Sequence, residues 1–309
     1  MTYHFKRGEG SVEKRLREIA ASQIDKAIAE IDDPDIDTKE TVHQVRKRAK
    51  KLRGLIRLVR PAFDDYKFEN ASFRDAASDL SYVRDAEANV ETYDDLMTFH
   101  EDTIGAADFA PIRNGLVERR AEISCSKGLD EKLAAFRETM AAARARAADW
   151  CLDEKGYEAI AGGLGKTYKR TRKAMRRADE EPTPERLHQW RKRVKYHWYH
   201  ARLLREIWPE MMEAHVAAAD TLSDLLGDHH DLAVLRETLL ADPRAFAQEP
   251  ELEAFIGLIA ARQAVLEQEA FMLGRRLLAE KTSALVARWK AYWSDAMRED
   301  GLPEKALAA

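Results

Sequence analysis

HQVRKRAKKLRGLIRLVR, residues 43–60, and HQWRKRVKYHWYHARLLR, residues 188–205, align without a gap and are identical at 9 of 18 positions. The offset between them is 145 residues, and a second match, LSYVRDAEANV from Leu80 against LGDHHDLAVL from Leu226, falls at an offset of 146. Two collinear matches describe a chain made of two similar halves, and such a repeat constrains the fold before any local pattern does. One domain over 1–309 is therefore expected, with a first helical half at 11–150 and a second at 155–297. Asp85 and Asp231 occupy corresponding places.

Placed on a helix at about 100° per residue, the first copy separates into two faces. His43, Arg46, Lys50 and Arg57 fall on one strip, with Lys47, Arg53 and Arg60 beside it, whereas Val45, Ala49, Leu52, Ile56 and Val59 occupy the opposite side. The second copy repeats the arrangement with His188, Arg191, Lys195 and Arg202 on the strip, Lys192 and Arg205 beside it, and Trp190, Val194, Ala201 and Leu204 on the apolar side. Trp198 replaces the counterpart of Arg53. Helix-start signals precede both copies: Asp37 with Glu40 has the capping-box spacing, and Thr183 stands before Pro184. Three- and four-residue apolar spacing recurs in 19–31, 116–123, 133–140 and 255–278, and no stretch alternates as a strand would. The chain reads as all-α, with about ten to twelve helices separated by turns at Pro34, Pro61, Pro111, Pro182, Pro209, Pro243, Pro250, Gly105, Gly128, Gly162 and Gly227.

The formal net charge of −4 conceals a strong segregation. Residues 42–62, 159–178 and 187–205 hold 8, 7 and 6 Lys+Arg and no acid, so the remaining chain carries 30 basic against 55 acidic residues. Like charges three or four apart on a helix repel by a few tenths of a kcal/mol per pair, so these strips oppose helix stability unless an anion or distant carboxylates compensate. Arg offers a planar fork and Lys a mobile point charge, and their mixture suits a flexible ligand with many phosphates. A linear polyphosphate fits. The middle run, GKTYKRTRKAMRR, adds Lys166, Lys169, Arg170, Lys173, Arg176 and Arg177 as a third strip immediately before the second repeat helix.

Other classes are excluded or disfavoured by the same sequence. The longest run without a charge is eight residues, 254–261, against the ~20 that cross a bilayer. No membrane partner is expected. The start, MTYHFKRGEGSVEK, has no apolar signal-peptide core, and Cys125 and Cys151 form no CxxC pair, which predicts a cytoplasmic protein without a cysteine-held metal. His229 and His230 point about 100° apart on a helix and cannot easily share a metal, so a metal-dependent phosphohydrolase is the least favoured reading. Trp190, Tyr196, Trp198 and Tyr199 suggest packing rather than base stacking, since the first copy has no aromatic residue at these places. No catalytic residue, metal or cofactor is expected.

The doubled H-Q-x-R-K-R-x-K-x(6)-R helix, the Arg84–Asp85 pair and the L-G-x-x-x-D of Leu226 to Asp231 resemble the CHAD family, the histidine-containing α-helical domains. The resemblance runs over nearly the whole chain. It implies two helical bundles related by a pseudo-twofold axis, with long basic helices lining a central groove that binds inorganic polyphosphate. It also implies association with polyphosphate granules and with polyphosphate-metabolising proteins. The E-x-E-x-K motif of the phosphohydrolase domain often fused to such domains does not occur here. Two departures stand out, Ser81 opposite Gly227 and Trp198 opposite Arg53. Nucleic acid, whose phosphates would satisfy the same cations, is the main rival ligand and is disfavoured as the native one; an acidic protein is the other alternative.

Overall fold

A computed structural model describes residues 3–6, 10–101, 109–124 and 128–299, with the side chains of 82–85 and 124 outside the described set. Eleven α-helices and no strand occur among them. The first six are α1 (Val12–Asp32), α2 (Thr38–Val59), α3 (Tyr66–Ser78), α4 (Ser81–Phe99), α5 (Ala110–Ser124) and α6 (Leu129–Ala147). After a connection at 148–157 follow α7 (Glu158–Glu180), α8 (Pro184–Leu203), α9 (Pro209–Ala241), α10 (Glu249–Leu277) and α11 (Thr282–Glu299). The repeated phrase thus forms α2 and α8, and the third basic run forms α7.

Local chemistry explains where these helices begin. Asp37 accepts a hydrogen bond from the backbone N–H of Lys39, and Thr183 accepts one from Arg186 with Pro184 opening α8. Each cap satisfies one of the donors that a helix start leaves unpaired. Pro34, Pro61 and Pro182 lie between helices, as expected. Pro111, Pro209 and Pro250 instead sit in first helical turns, where a missing N–H costs nothing. Gly162 and Gly227 lie inside α7 and α9 and make no turn at all; Gly105 lies outside the described residues.

Both halves of the chain feed both main cores. One core joins Leu16 and Ile24 of α1 and Leu52 and Ile56 of α2 to Tyr168 of α7 and Trp289 of α11. The other joins Tyr93 of α4 and Ile112 of α5 to Leu235 of α9 and Phe255 of α10, with the Tyr93 and Phe255 rings stacked at 5.2 Å. A smaller third core packs Trp190 of α8 among Leu222, Leu226 and Ala270. Neither half buries its apolar surface alone, so the repeat folds as one interlocked unit.

Two glycines decide how closely the basic helices approach one another. A Cβ on Gly163 of α7 would lie 1.8 Å from the carbonyl oxygen of Leu58, and one on Gly54 of α2 would lie 2.9 Å from the Tyr199 side chain of α8. Only glycine lets α2 press against both α7 and α8. The buried His200 side chain then ties α8 to α2, its Nε2 lying 3.2 Å from the Gly54 carbonyl oxygen. Backbone contact at these two points brings three positively charged helices together.

Candidate functional site

Where α2, α7 and α8 meet, cations from all three helices converge. Arg57 is buried; its Nη2 donates to Asn70 Oδ1 of α3 at 2.9 Å, and Arg53 Nε donates to the same oxygen at 3.3 Å. The Arg57 guanidinium also lies 4.2 Å from the Tyr196 ring centroid and 5.9 Å from that of Tyr66. Guanidinium on an aromatic face is a favourable pairing that leaves the positive charge intact. Arg60, at the C-terminal cap of α2, is buried, with Nε and Nη2 lacking a hydrogen-bond partner among the described residues.

The electrostatics of this seam are one-sided. Burial first, then the charge of Arg170, pushes Arg60 down to about 10. Lys166 is held below its ordinary value by Arg60 first, then by burial and Arg170. Arg193 is lowered by burial, then by Arg170 and Arg57, and Lys192 by burial, then by Arg193, Arg191 and Arg53. Arg53 is lowered mainly by burial. The charges acting on these five side chains are other cations and tyrosines, with no carboxylate among them. A cationic cluster without internal compensation is a preformed site for a multivalent anion.

The strip of α8 has a different fate. Arg191 lies 4.0 Å from Asp231, and Lys195 lies 3.9 Å from Asp220 and 4.0 Å from Asp224, so carboxylates of α9 supply the compensation that the strip requires. The motif at Leu226 to Asp231 acquires a physical meaning here. Arg191 passes over Gly227, its guanidinium 3.5 Å from where a Cβ would sit, and reaches Asp231 one turn later. That spacing is ordinary van der Waals contact. The side chains of Arg84 and Asp85 lie outside the described set. Trp198 does not simply remove a cation, because Lys195 and Arg202 pack on its ring at 4.0 and 4.6 Å.

The remaining predicted residues scatter. Lys47, Lys50, Lys173 and Arg177 are exposed, His43 is half buried near the start of α2, and Arg46 Nη1 donates to the carbonyl of Ala77. Arg205 is drawn to its neighbour Glu206 at 3.1 Å. Lys169 leaves the seam, lining instead a depression between α7 and α11 with Arg172 and Arg176. Lys169 lies about 60° round the helix from Lys166 and about 100° from Arg170, at the edge of the basic face that borders α11.

His188 stacks on His230 with ring centroids 3.8 Å apart. Burial first, then Lys192 and Arg191, pushes His188 down to about 4, and burial with His188 and Arg191 pushes His230 to about 3. Both rings are neutral at pH 7, so His188 is a polar neighbour of the strip and not one of its cations. His229 turns the other way, its Nε2 2.9 Å from Glu267 Oε1. Among the described residues no group of three or more His, Cys, Asp or Glu is placed to hold a metal ion.

Sequence reasoning missed Arg193, Tyr66 and Asn70, and it read Tyr196 as a packing residue without its place over Arg57. Arg193 fell outside the polar strip of its own helix and corresponds to Arg48, which Glu30 neutralises through bonds from Nε and Nη2. At the same 145-residue offset Glu30 becomes Met175, so the loss of that partner was a readable sign that Arg193 serves something else.

Fold and site together define an all-α domain that concentrates uncompensated cations where its repeated helices meet. A family model described as the CHAD domain matches residues 18–240, and the chain belongs to that family. The solved structure described as PptA from Streptomyces chartreusis is similar, with a TM-score of 0.58 and 14% identity over 87% of this chain and 98% of that one. At such identity the likeness is one of fold. No curated protein matches the sequence.

Proposed function

We propose that this protein binds inorganic polyphosphate, without catalysing a reaction, in a groove centred on the seam of α2, α7 and α8. Membership of the CHAD family supports a polyphosphate-related function in general. The observation that carries the reading is the cluster of Arg53, Arg57, Arg60, Lys166, Arg170, Lys192 and Arg193, whose charges act on one another with no carboxylate between them. Each contact is weak, and a chain of phosphates engages many at once while releasing condensed counterions. The two halves act as one binding unit, each supplying a copy of the basic helix. Association with granules and with polyphosphate-metabolising proteins in the cytoplasm follows from the same binding, the granule's own polyphosphate being the tether.

The presence of tyrosines invites a nucleic-acid reading, because ring faces can stack on bases. Tyr66 and Tyr196, however, are half buried and turn toward Arg57, which occupies the faces a base would need. Neutralising the exposed Lys166, Arg170 and Lys192 together to Ala tests the proposal without touching the core. Long-chain polyphosphate affinity is expected to fall at least tenfold in a variant whose helical signal and melting are preserved. Unchanged affinity in that folded variant overturns the placement of the groove.

A further inference from the structure

The outer face of α10 is apolar, and nothing in the chain packs on it. The helix is 29 residues long, about 43 Å at ~1.5 Å per residue, and turns Leu252, Phe255, Ile259, Leu266 and Ala270 inward. On the opposite side Ala254, Gly257, Ala261, Val265, Gln268 and Met272 are all exposed, and their three- and four-residue spacing keeps them within an arc of about 80°. None of the six is charged. Val265 and Met272 are 39% and 51% exposed, and Phe99 of α4, 49% exposed, adjoins this face through Arg262, whose guanidinium lies 4.0 Å from its ring centroid. An apolar row at coiled-coil spacing on the outside of a long helix is the form of a surface that meets another helix.

Two comparisons within the molecule show that folding of one chain does not call for this face. α5 follows α4 as α10 follows α9, and α4 and α9 hold the corresponding Asp85 and Asp231, so α5 is the counterpart of α10. Its exposed residues include Arg113, Glu118, Arg119 and Glu122, an ordinary solvated surface. Gly257 supplies the second comparison. Glycine weakens a helix interior relative to alanine, and at Gly274 of the same helix a close neighbour explains it, since a Cβ there would meet the Trp190 ring at 2.6 Å. At Gly257 a Cβ would meet nothing within 4 Å. A glycine that no neighbour in the chain requires lowers the helix surface for something outside it, as the close approach of a second backbone demands.

We infer that α10 pairs antiparallel with α10 of a second copy of this chain, across a twofold axis at residues 264–265, midway between Glu253 and Arg276. Charge selects both the partner and the orientation. Glu251 and Glu253 flank the two sides of the apolar face at its N-terminal end, and Arg276 and Arg275 flank the same two sides at its C-terminal end, all four exposed. Antiparallel pairing lays Glu251 beside Arg276 of the partner subunit and Glu253 beside Arg275 of the partner subunit, whereas parallel pairing would set acid on acid and cation on cation. Arg275 is also held by Asp179 at 3.0 Å, which leaves Arg276 as the principal cation of the contact. The same axis sets Met272 of the partner subunit against Gly257, so the largest apolar side chain of the face meets its lowest point, twice by symmetry.

Sedimentation velocity of the full chain over a micromolar concentration series tests this, with Ala261→Glu, Glu251→Arg, Arg276→Glu and the Glu251→Arg/Arg276→Glu double variant beside wild type. Every replaced side chain is exposed, so each variant is expected to keep the wild-type helical signal. Wild type is expected to sediment at twice the chain mass of 35.3 kDa. Ala261→Glu sets a charge in the middle of the apolar face and is expected to sediment as a monomer. Each single charge reversal is expected to raise the dimer dissociation constant at least tenfold, and the double variant, in which both members of the pair are exchanged, to regain most of that loss. A monomeric wild type, a folded Ala261→Glu that still dimerises, or a double variant no tighter than the single reversals would overturn the inference. Polyphosphate takes no part in these measurements, so they stand apart from the assignment of the seam.

Discussion

Arg60 shows at the scale of one residue how function is held against stability. Its guanidinium is buried beside Arg57 and Arg170 with two nitrogens unpartnered, an arrangement that costs folding free energy when no anion is present. Arg60→Met keeps the aliphatic stem and removes that cost. We expect the variant to be more stable by on the order of 1 kcal/mol in urea denaturation, and to bind polyphosphate less tightly. Loss of stability would mean that the hydrogen bond between Arg60 and Tyr66 outweighs the cost of burying the guanidinium. The buried histidines set a pH limit on the same fold. His200 and His230 are pushed down to about 3 and His188 and His215 to about 4, each by burial first, from an ordinary value of 6.5. The unfolded chain therefore binds protons between pH 6.5 and 4 that the native chain does not, so stability is lost as pH falls through that window. Urea midpoints measured from pH 7.5 to 4 are expected to fall steadily below pH 6.5, and His200→Gln to flatten the slope. A midpoint independent of pH over that range contradicts the burial of neutral imidazoles.

At the scale of elements, what the sequence made legible was what a single helix can carry. The caps at Asp37 and Thr183, the apolar face of α2 and the helical class all follow from local spacing. The seam does not, because it depends on which faces of three helices meet. A helical wheel separates Arg193 from the strip of α8, yet packing against α2 and α7 brings it beside Arg57 and Arg170. The same packing leaves Lys169 at the edge of α7 that borders α11 and gives Arg191 and Lys195 to the carboxylates of α9. Gly162 likewise resembles a turn residue in sequence, whereas in the fold it makes room for Pro61, 2.9 Å from where its Cβ would sit. Gly163 is the decisive contact. Gly163→Ala would set a methyl group 1.8 Å from the Leu58 carbonyl and force α7 away from α2. The expected cost is at least about 2 kcal/mol in urea or thermal unfolding, with a loss of polyphosphate affinity beyond that of any single seam cation. Wild-type stability in this variant would show that the helices do not meet as described.

For the molecule as a whole, the segregation of charge is the property that separates it from an ordinary acidic helical protein. An excess of acid over most of the chain repels a polyanion away from the basic helices, which steers a phosphate chain toward them and disfavours diffuse binding. Interlocking of the two halves through shared cores makes the seam a rigid feature, since α2 cannot separate from α7 and α8 without opening a core. The predicted consequence is a steep and specific ionic-strength dependence. With seven seam cations engaged and roughly 0.7 counterions released per neutralised phosphate, the plot of log affinity against log salt should have a slope of about −5. The most direct measurement is a calorimetric titration with long-chain polyphosphate over a series of salt concentrations, run beside single-stranded DNA at equal phosphate concentration. A slope near that value for polyphosphate, with DNA binding at least tenfold weaker at physiological salt, is the predicted result. Equal affinities for the two polymers, or a polyphosphate slope no steeper than about −1, would contradict a dedicated polyphosphate site in the seam.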